Sequence, residues 1–186
     1  MINSSKRELT IGKKIIVILL CVLLNVVGRY VSCKLQLPIW LDTIGIGIAV
    51  YFLGLSGAIL VGLAGGLLAF IGKVGSLAYV VVSIVVALFQ AFYRRRGVPD
   101  RLPKALRMGF WTGLLSIIII VPVYMLSAGG KSGNVWGDAF FSMLQWGCMP
   151  VLVCSLCGAL IVEIADKQIT AVLACGIVRL LNKIFF

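Results

Sequence analysis

The chain has 186 residues, 61% of them hydrophobic and 12% charged, with a formal charge of +11 and a mean hydropathy of +1.13. A soluble domain runs nearer ~45–50% apolar and ~25% charged, so this composition excludes one and points to the lipid bilayer. The length holds one compact bundle, a single domain over residues 1–186, without space for a separate catalytic or nucleotide-binding unit.

The first apolar run extends over 15–31. It is too long for the core of a signal peptide, and no small-x-small cleavage site follows it, so it is expected to stay as a membrane helix. Between Ile39 and Phe70 the chain is almost wholly apolar, carrying one charge, Asp42, and a glycine-rich turn, Gly54-Leu55-Ser56-Gly57. That pattern predicts a helical hairpin with arms over 38–53 and 56–71. The arms are short against the ~17–25 residues that a ~30 Å crossing needs, so a re-entrant pair is the alternative to two full crossings. Further runs fall at 77–93, 108–127 and 138–164. The expected fold is an all-α integral membrane protein, a compact six-transmembrane-helix bundle.

Beyond Asp166 the pattern changes. Ile169, Val172, Leu173, Gly176, Ile177, Leu180, Leu181 and Ile184 repeat at helical spacing beside Lys167, Thr170, Arg179 and Lys183. The segment 166–186 reads either as an interfacial amphipathic helix or as the continuation of the last run. The stretch Arg94–Lys104, with Gly97, Pro99 and Pro103, reads as a basic loop.

Charge sets the orientation. With both termini in the cytoplasm, 13 Lys and Arg residues fall inside, Lys167 among them, and four fall outside: Arg29, Lys34, Lys73 and Lys131. That imbalance is the positive-inside signature of a multi-pass protein. It also accounts for the basic balance without nucleic acid, since Arg94–Arg96 lacks an aromatic-interleaved basic surface.

Enzyme chemistry finds no footing. The chain has no histidine, which removes His-based metal sites, His general bases and Ser-His-Asp triads. There is no P-loop pattern. Cys154-Ser-Leu-Cys157 sits in a membrane run without partner ligands and reads as small buried thiols. Neither a metal nor a cofactor is expected.

Outer-face polar and aromatic residues make the one candidate site. Trp40 and Asp42 precede and open the second run. Lys131, Asn134, Trp136 and Asp138 lie between the fifth and sixth, and Gln145 and Trp146 follow two turns later. Stacking area with a few orienting polar groups suits a small-molecule pocket. Helix capping by Asp42 and Asp138, an aromatic belt, and a structural hydrogen bond at Gln145 are the competing readings.

The stretch Leu37-Pro38-Ile39-Trp40-Leu41-Asp42-Thr43-Ile44-Gly45-Ile46-Gly47, followed by Leu53-Gly54-Leu55-Ser56-Gly57-Ala58-Ile59-Leu60-Val61-Gly62-Leu63, resembles the substrate-binding S components of energy-coupling factor (ECF) vitamin transporters. Many of these carry an L-D-T-x-G-T stretch leading into a glycine-rich hairpin; here Gly47 replaces the second Thr. The closing Glu163-Ile164-Ala165-Asp166-Lys167 is similar too. The resemblance implies capture of a small water-soluble nutrient at the outer face of a bacterial plasma membrane. It further implies a transmembrane coupling subunit and two ATPase subunits as partners. Many S components meet the coupling subunit through an A-x-x-x-A pair on the first helix. This chain has no alanine there, and Cys21, Asn25 and Gly28, with Ser32, form the small-residue substitute. A membrane-embedded sensor or adaptor that binds a partner and transports nothing is the rival function.

Overall fold

In the computed structural model, which describes residues 10–72, 78–95 and 102–185, the apolar runs wind into six α-helices. These are α1 (Ile11–Lys34), α2 (Ile44–Ile71), α3 (Ala78–Arg95), α4 (Leu102–Ala128), α5 (Val135–Trp146) and α6 (Val151–Phe185). Lys6, Arg7, Lys73, Ser76 and the basic-loop residues Arg96, Gly97, Pro99 and Arg101 lie outside the described residues. Among the described residues three helices, α1, α2 and α4, are by length and composition alone long and apolar enough to cross a bilayer, α2 only when its two arms are counted together. The chain has the make-up of a membrane protein.

α2 is not straight. Gly54, at φ 76° and ψ −162°, breaks it in a region of backbone space open essentially to glycine alone. Asn25 of α1 measures the consequence. Its Oδ1 accepts a hydrogen bond from the Gly45 amide at 2.7 Å, and a Cβ on Gly65 would lie 3.5 Å from the Asn25 Cβ. Twenty residues of straight helix would hold those glycines about 30 Å apart. The chain therefore reverses at Gly54, inside the turn expected from the sequence. The arm 44–53 descends along α1, pairing Gly45 with Cys21, and the arm 55–71 returns. Glycine permits the approach: a Cβ on Gly45 would fall 2.1 Å from the Cys21 carbonyl oxygen.

Six full crossings are not supported. The arm 44–53 is about 15 Å long, half of a hydrocarbon core. The expected helix over 138–164 is two helices, because Pro150 has no amide hydrogen to continue α5 and bars helical backbone at the residue before it. The chain turns through Cys148 at φ 59°, and the Pro150 carbonyl starts α6 by accepting from Val153 and Cys154. α5 then has only 12 residues.

The tail beyond Asp166 continues that helix through Phe185, the second of the two readings its pattern allows. α6 runs unbroken for 35 residues, about 52 Å. Its second half lies beside the hairpin, where Thr170 meets Thr43 at 3.1 Å and a Cβ on Gly47 would touch Ala174. Ala171, Ala174 and Val178 are buried there. α4 packs antiparallel to α6 through Gly109 and Gly113, whose hydrogens face the backbone at Lys167–Gln168 and Ile164.

A continuous apolar stripe on α1 (Ile11, Ile15, Leu19, Leu23 and Val27) faces outward, as a lipid-facing surface does. The opposite face carries Cys21, Asn25 and Gly28, the expected partner interface. Within this chain that face is already occupied. Cys21 and Asn25 are buried, and a Cβ on Gly28 would sit 2.3 Å from the Leu41 carbonyl oxygen. These small residues seat α1 on its own hairpin.

Candidate functional site

Where the connection 35–43 enters the hairpin it meets the middle of α6, and five ionisable side chains converge. Arg29 of α1 donates from Nη1 to Asp42 Oδ2 at 2.7 Å. Lys167 Nζ lies 3.5 Å from Asp42 Oδ1, 2.5 Å from Asp166 Oδ2 and 3.7 Å from Glu163 Oε2. Arg29, Glu163, Asp166 and Lys167 are buried and Asp42 is 16% exposed.

Each charge is held by local structure. The Arg29 guanidinium sits against two aromatic faces, 4.0 Å from the Trp40 ring centre and 3.9 Å from that of Tyr79. Desolvated contacts of this kind are worth up to ~2 kcal/mol each. Asp166 Oδ1 accepts from the amides of Trp40 and Leu41, at 2.9 and 2.7 Å. Leu41 has φ 57°, a left-handed conformation that β-carbon-bearing residues seldom take, and it brings both amides to one carboxylate. Ser32 of α1 fixes the same connection by donating to the Ile39 carbonyl. The hydroxyls of Tyr79 and Tyr124 pair at 2.9 Å, joining α3 to α4 beside the cluster.

A small cavity adjoins these groups. It is lined by Asn25, Arg29, Asp42, Tyr79 and Ser83, and by Gly62, Gly65 and Gly66 on the returning arm. It has room for about one water molecule. A drug-sized ligand needs roughly 300–1,000 Å³, which this cavity does not offer.

The expected site residues separate into three groups. Trp40 and Asp42 belong to the cluster. Lys131 and Asn134 lie in the neighbouring loop, and Trp136 and Asp138 in the first turn of α5. Asn134 caps α5, accepting from the amides of Trp136 and Gly137, and its Nδ2 donates to the Leu37 carbonyl at 3.0 Å. Trp136 Nε1 donates to the Gln36 carbonyl at 2.8 Å, so two side chains tie this loop to the connection 35–43. Asp138 accepts from Ser132 and the Gly133 amide, a loop-holding role, and Lys131 lies 6.0 Å over the Phe141 ring. Gln145 and Trp146 do not converge with the rest: both are exposed, at the far end of α5, about 15 Å along the axis from its start.

Arg29 and Tyr79 belong to the outer-face polar residues that the sequence groups around the candidate site, whereas Glu163, Asp166, Lys167 and Tyr124 are not among the site residues expected from it. Their signal is present as ionisable residues within apolar stretches, which mark functional positions in membrane proteins. Charge counting distributes Arg29 and Asp42 to one membrane face and Asp166 and Lys167 to the other. The structure corrects this, since Asp42 and Lys167 share one level of the bundle. Among the described residues no group of His, Cys, Asp or Glu has the arrangement to hold a metal ion.

No model of a known protein family, no curated protein and no solved structure matches this chain. The resemblance to S components rests on the residues quoted for it.

Proposed function

We propose that this chain is a membrane-embedded capture protein for a small water-soluble solute, in the manner of an ECF S component, and not an enzyme. The observation that carries this reading is the Arg29 guanidinium, buried between Trp40 and Tyr79 and bordering a cavity in a chain otherwise made for lipid. Ionisable groups inside an apolar bundle are costly and mark solute or ion pathways. The solute, a vitamin-like nutrient, enters when the loop at Asn134–Trp136 parts from Gln36–Leu37 and widens the cavity. A transmembrane coupling subunit and two ATPase subunits supply the energy, and this chain supplies recognition. A bacterial plasma membrane with both termini cytoplasmic is the setting. With Arg29 and Lys167 withdrawn into the cluster, 12 basic residues remain for the inner face and three for the outer, so the positive-inside bias persists.

Native mass spectrometry of the detergent-purified protein, with a panel of water-soluble vitamins and nucleobases, tests this. One panel member should be retained by the parent and lost in Arg29→Met. If the panel yields no bound species and no coupling subunit co-purifies, the proposal fails. Co-purification of a signalling protein alone would favour the sensor or adaptor function.

A further inference from the structure

The buried cluster does not balance. Among the described residues Asp42, Glu163 and Asp166 stand against Arg29 and Lys167, so with every group ionised one negative charge is left over. A net charge inside an apolar bundle is strongly disfavoured, and a buried acid escapes the penalty by taking up a proton.

The hydrogen bonds identify which acid is in surplus. Asp42 is engaged by Arg29 at 2.7 Å and by Lys167 at 3.5 Å. Asp166 accepts two backbone amides and the Lys167 ammonium. Those contacts require carboxylates, because each oxygen faces a donor. Glu163 differs. It is 2% exposed and its Oε2 has no hydrogen-bond partner among the described residues. Its nearest cation, Lys167 Nζ at 3.7 Å, lies closer to Asp166, at 2.5 Å, and to Asp42, at 3.5 Å. The titratable and charged groups around it are Lys167 and Asp166 on α6, Asp42 on the connection 35–43, Arg29 on α1, Tyr79 on α3 and Tyr124 on α4. Two of these are cations already matched by two carboxylates, and the phenols are paired with each other.

We propose that Glu163 is a proton-binding site, carrying its carboxyl as the neutral acid at neutral pH, so that this proton supplies the missing positive charge of the cluster. A proton needs one oxygen only. A sodium or calcium ion would need several oxygens converging at about 2.3–2.6 Å, and among the described residues no such grouping exists. The inference stands on the charge count and the unpartnered oxygen, and does not depend on solute capture.

Infrared spectroscopy of the purified full chain tests it through the carbonyl stretch of a protonated carboxyl, which carboxylates lack. The parent should show that band at neutral pH and lose it on alkaline titration. Glu163→Gln, which mimics the neutral acid in shape, should fold and lack the band. Asp42→Asn removes the surplus negative charge by another route, so its band should disappear at a lower pH than the parent's. Absence of the band in the parent, its survival in Glu163→Gln, or an unshifted titration in Asp42→Asn would overturn the proposal. The unfolding midpoint gives a second readout: the parent should lose stability on alkaline titration more steeply than Glu163→Gln. If the parent's midpoint instead follows sodium chloride against choline chloride at fixed pH, a metal cation occupies the site and the proton assignment is wrong.

Discussion

Asp42 and Lys167, 125 residues apart in sequence, lie with carboxylate and ammonium 3.5 Å from each other in the interior of the bundle. The contact ties the connection before the hairpin to the middle of α6. It helps set the register of α6, about 52 Å long, against α1 and α2, since sliding it by one turn would break this contact and carry Asp166 away from the Trp40 and Leu41 amides. Arg29 completes the tie from α1.

Removing one partner should cost far more than replacing a pair. Arg29→Met leaves Asp42 with Lys167 alone, and breaking a buried ion pair in this way costs about 3–5 kcal/mol. The double variant Arg29→Met with Asp42→Leu puts apolar groups in both places and should recover much of that loss. Thermal unfolding in detergent measures the recovery, and native mass spectrometry reads solute retention. The double variant should fold and retain no solute; retention at the parent's level would make the cluster purely structural.

Gly28 separates the two uses of the α1 face. Its hydrogen points at the Leu41 carbonyl oxygen, 2.3 Å from where a Cβ would be. Gly28→Leu should therefore abolish monodisperse protein, and with it both solute binding and any complex. Loss of complex formation alone, with solute binding intact, would return Gly28 to the role of a docking residue.

Gly54 should tolerate no side chain despite open space around it. No atom lies within 4 Å of the position a Cβ would take there, so the cost of Gly54→Ala is conformational, about 1–3 kcal/mol for holding φ 76° and ψ −162°. Gly12→Ala in α1 also meets no atom within 4 Å but has helical neighbours, and there alanine should be neutral or stabilising by up to about 1 kcal/mol. Equal unfolding midpoints for the two variants would show that the reversal at Gly54 is not set by its backbone.

Local patterns in the sequence carry the turn at Gly54 and the helical runs before residue 128, because glycine spacing and hydropathy act over one or two turns. The break at Pro150 was legible too, from the absent amide hydrogen and the flanking Gly147, yet the apolar run across it hid the signal. The tail after Asp166 was ambiguous for a different reason. A charged pair at the end of an apolar run reads as a membrane exit unless its counter-charge is known, and Asp42 lies 125 residues away. Long-range pairing of Arg29, Asp42 and Lys167 is invisible to spacing. The cap that the sequence offers at Asp138 falls to Asn134, four residues earlier, a shift within one turn, whereas Gln145 depends on a burial that the end of α5 does not provide.

Trp136 and Gln145 give the last contrast. The Trp136 indole donates to the Gln36 carbonyl and so fastens the loop before α5 to the connection that carries Trp40 and Asp42. Trp136→Phe keeps most of the ring and removes the donor, at a cost of about 0.5–1.5 kcal/mol. If solute enters as these two segments part, losing that fastening destabilises the closed form, and dissociation of bound solute should quicken by roughly 2- to 10-fold, the same energy expressed as a rate. Gln145→Ala, at an exposed position on the far end of α5, should leave stability within about 0.5 kcal/mol and dissociation unchanged. Stopped-flow release of whichever solute the panel identifies measures both. Faster release in Gln145→Ala than in Trp136→Phe would move the entry route to the far end of α5 and away from the Gln36–Trp136 contact.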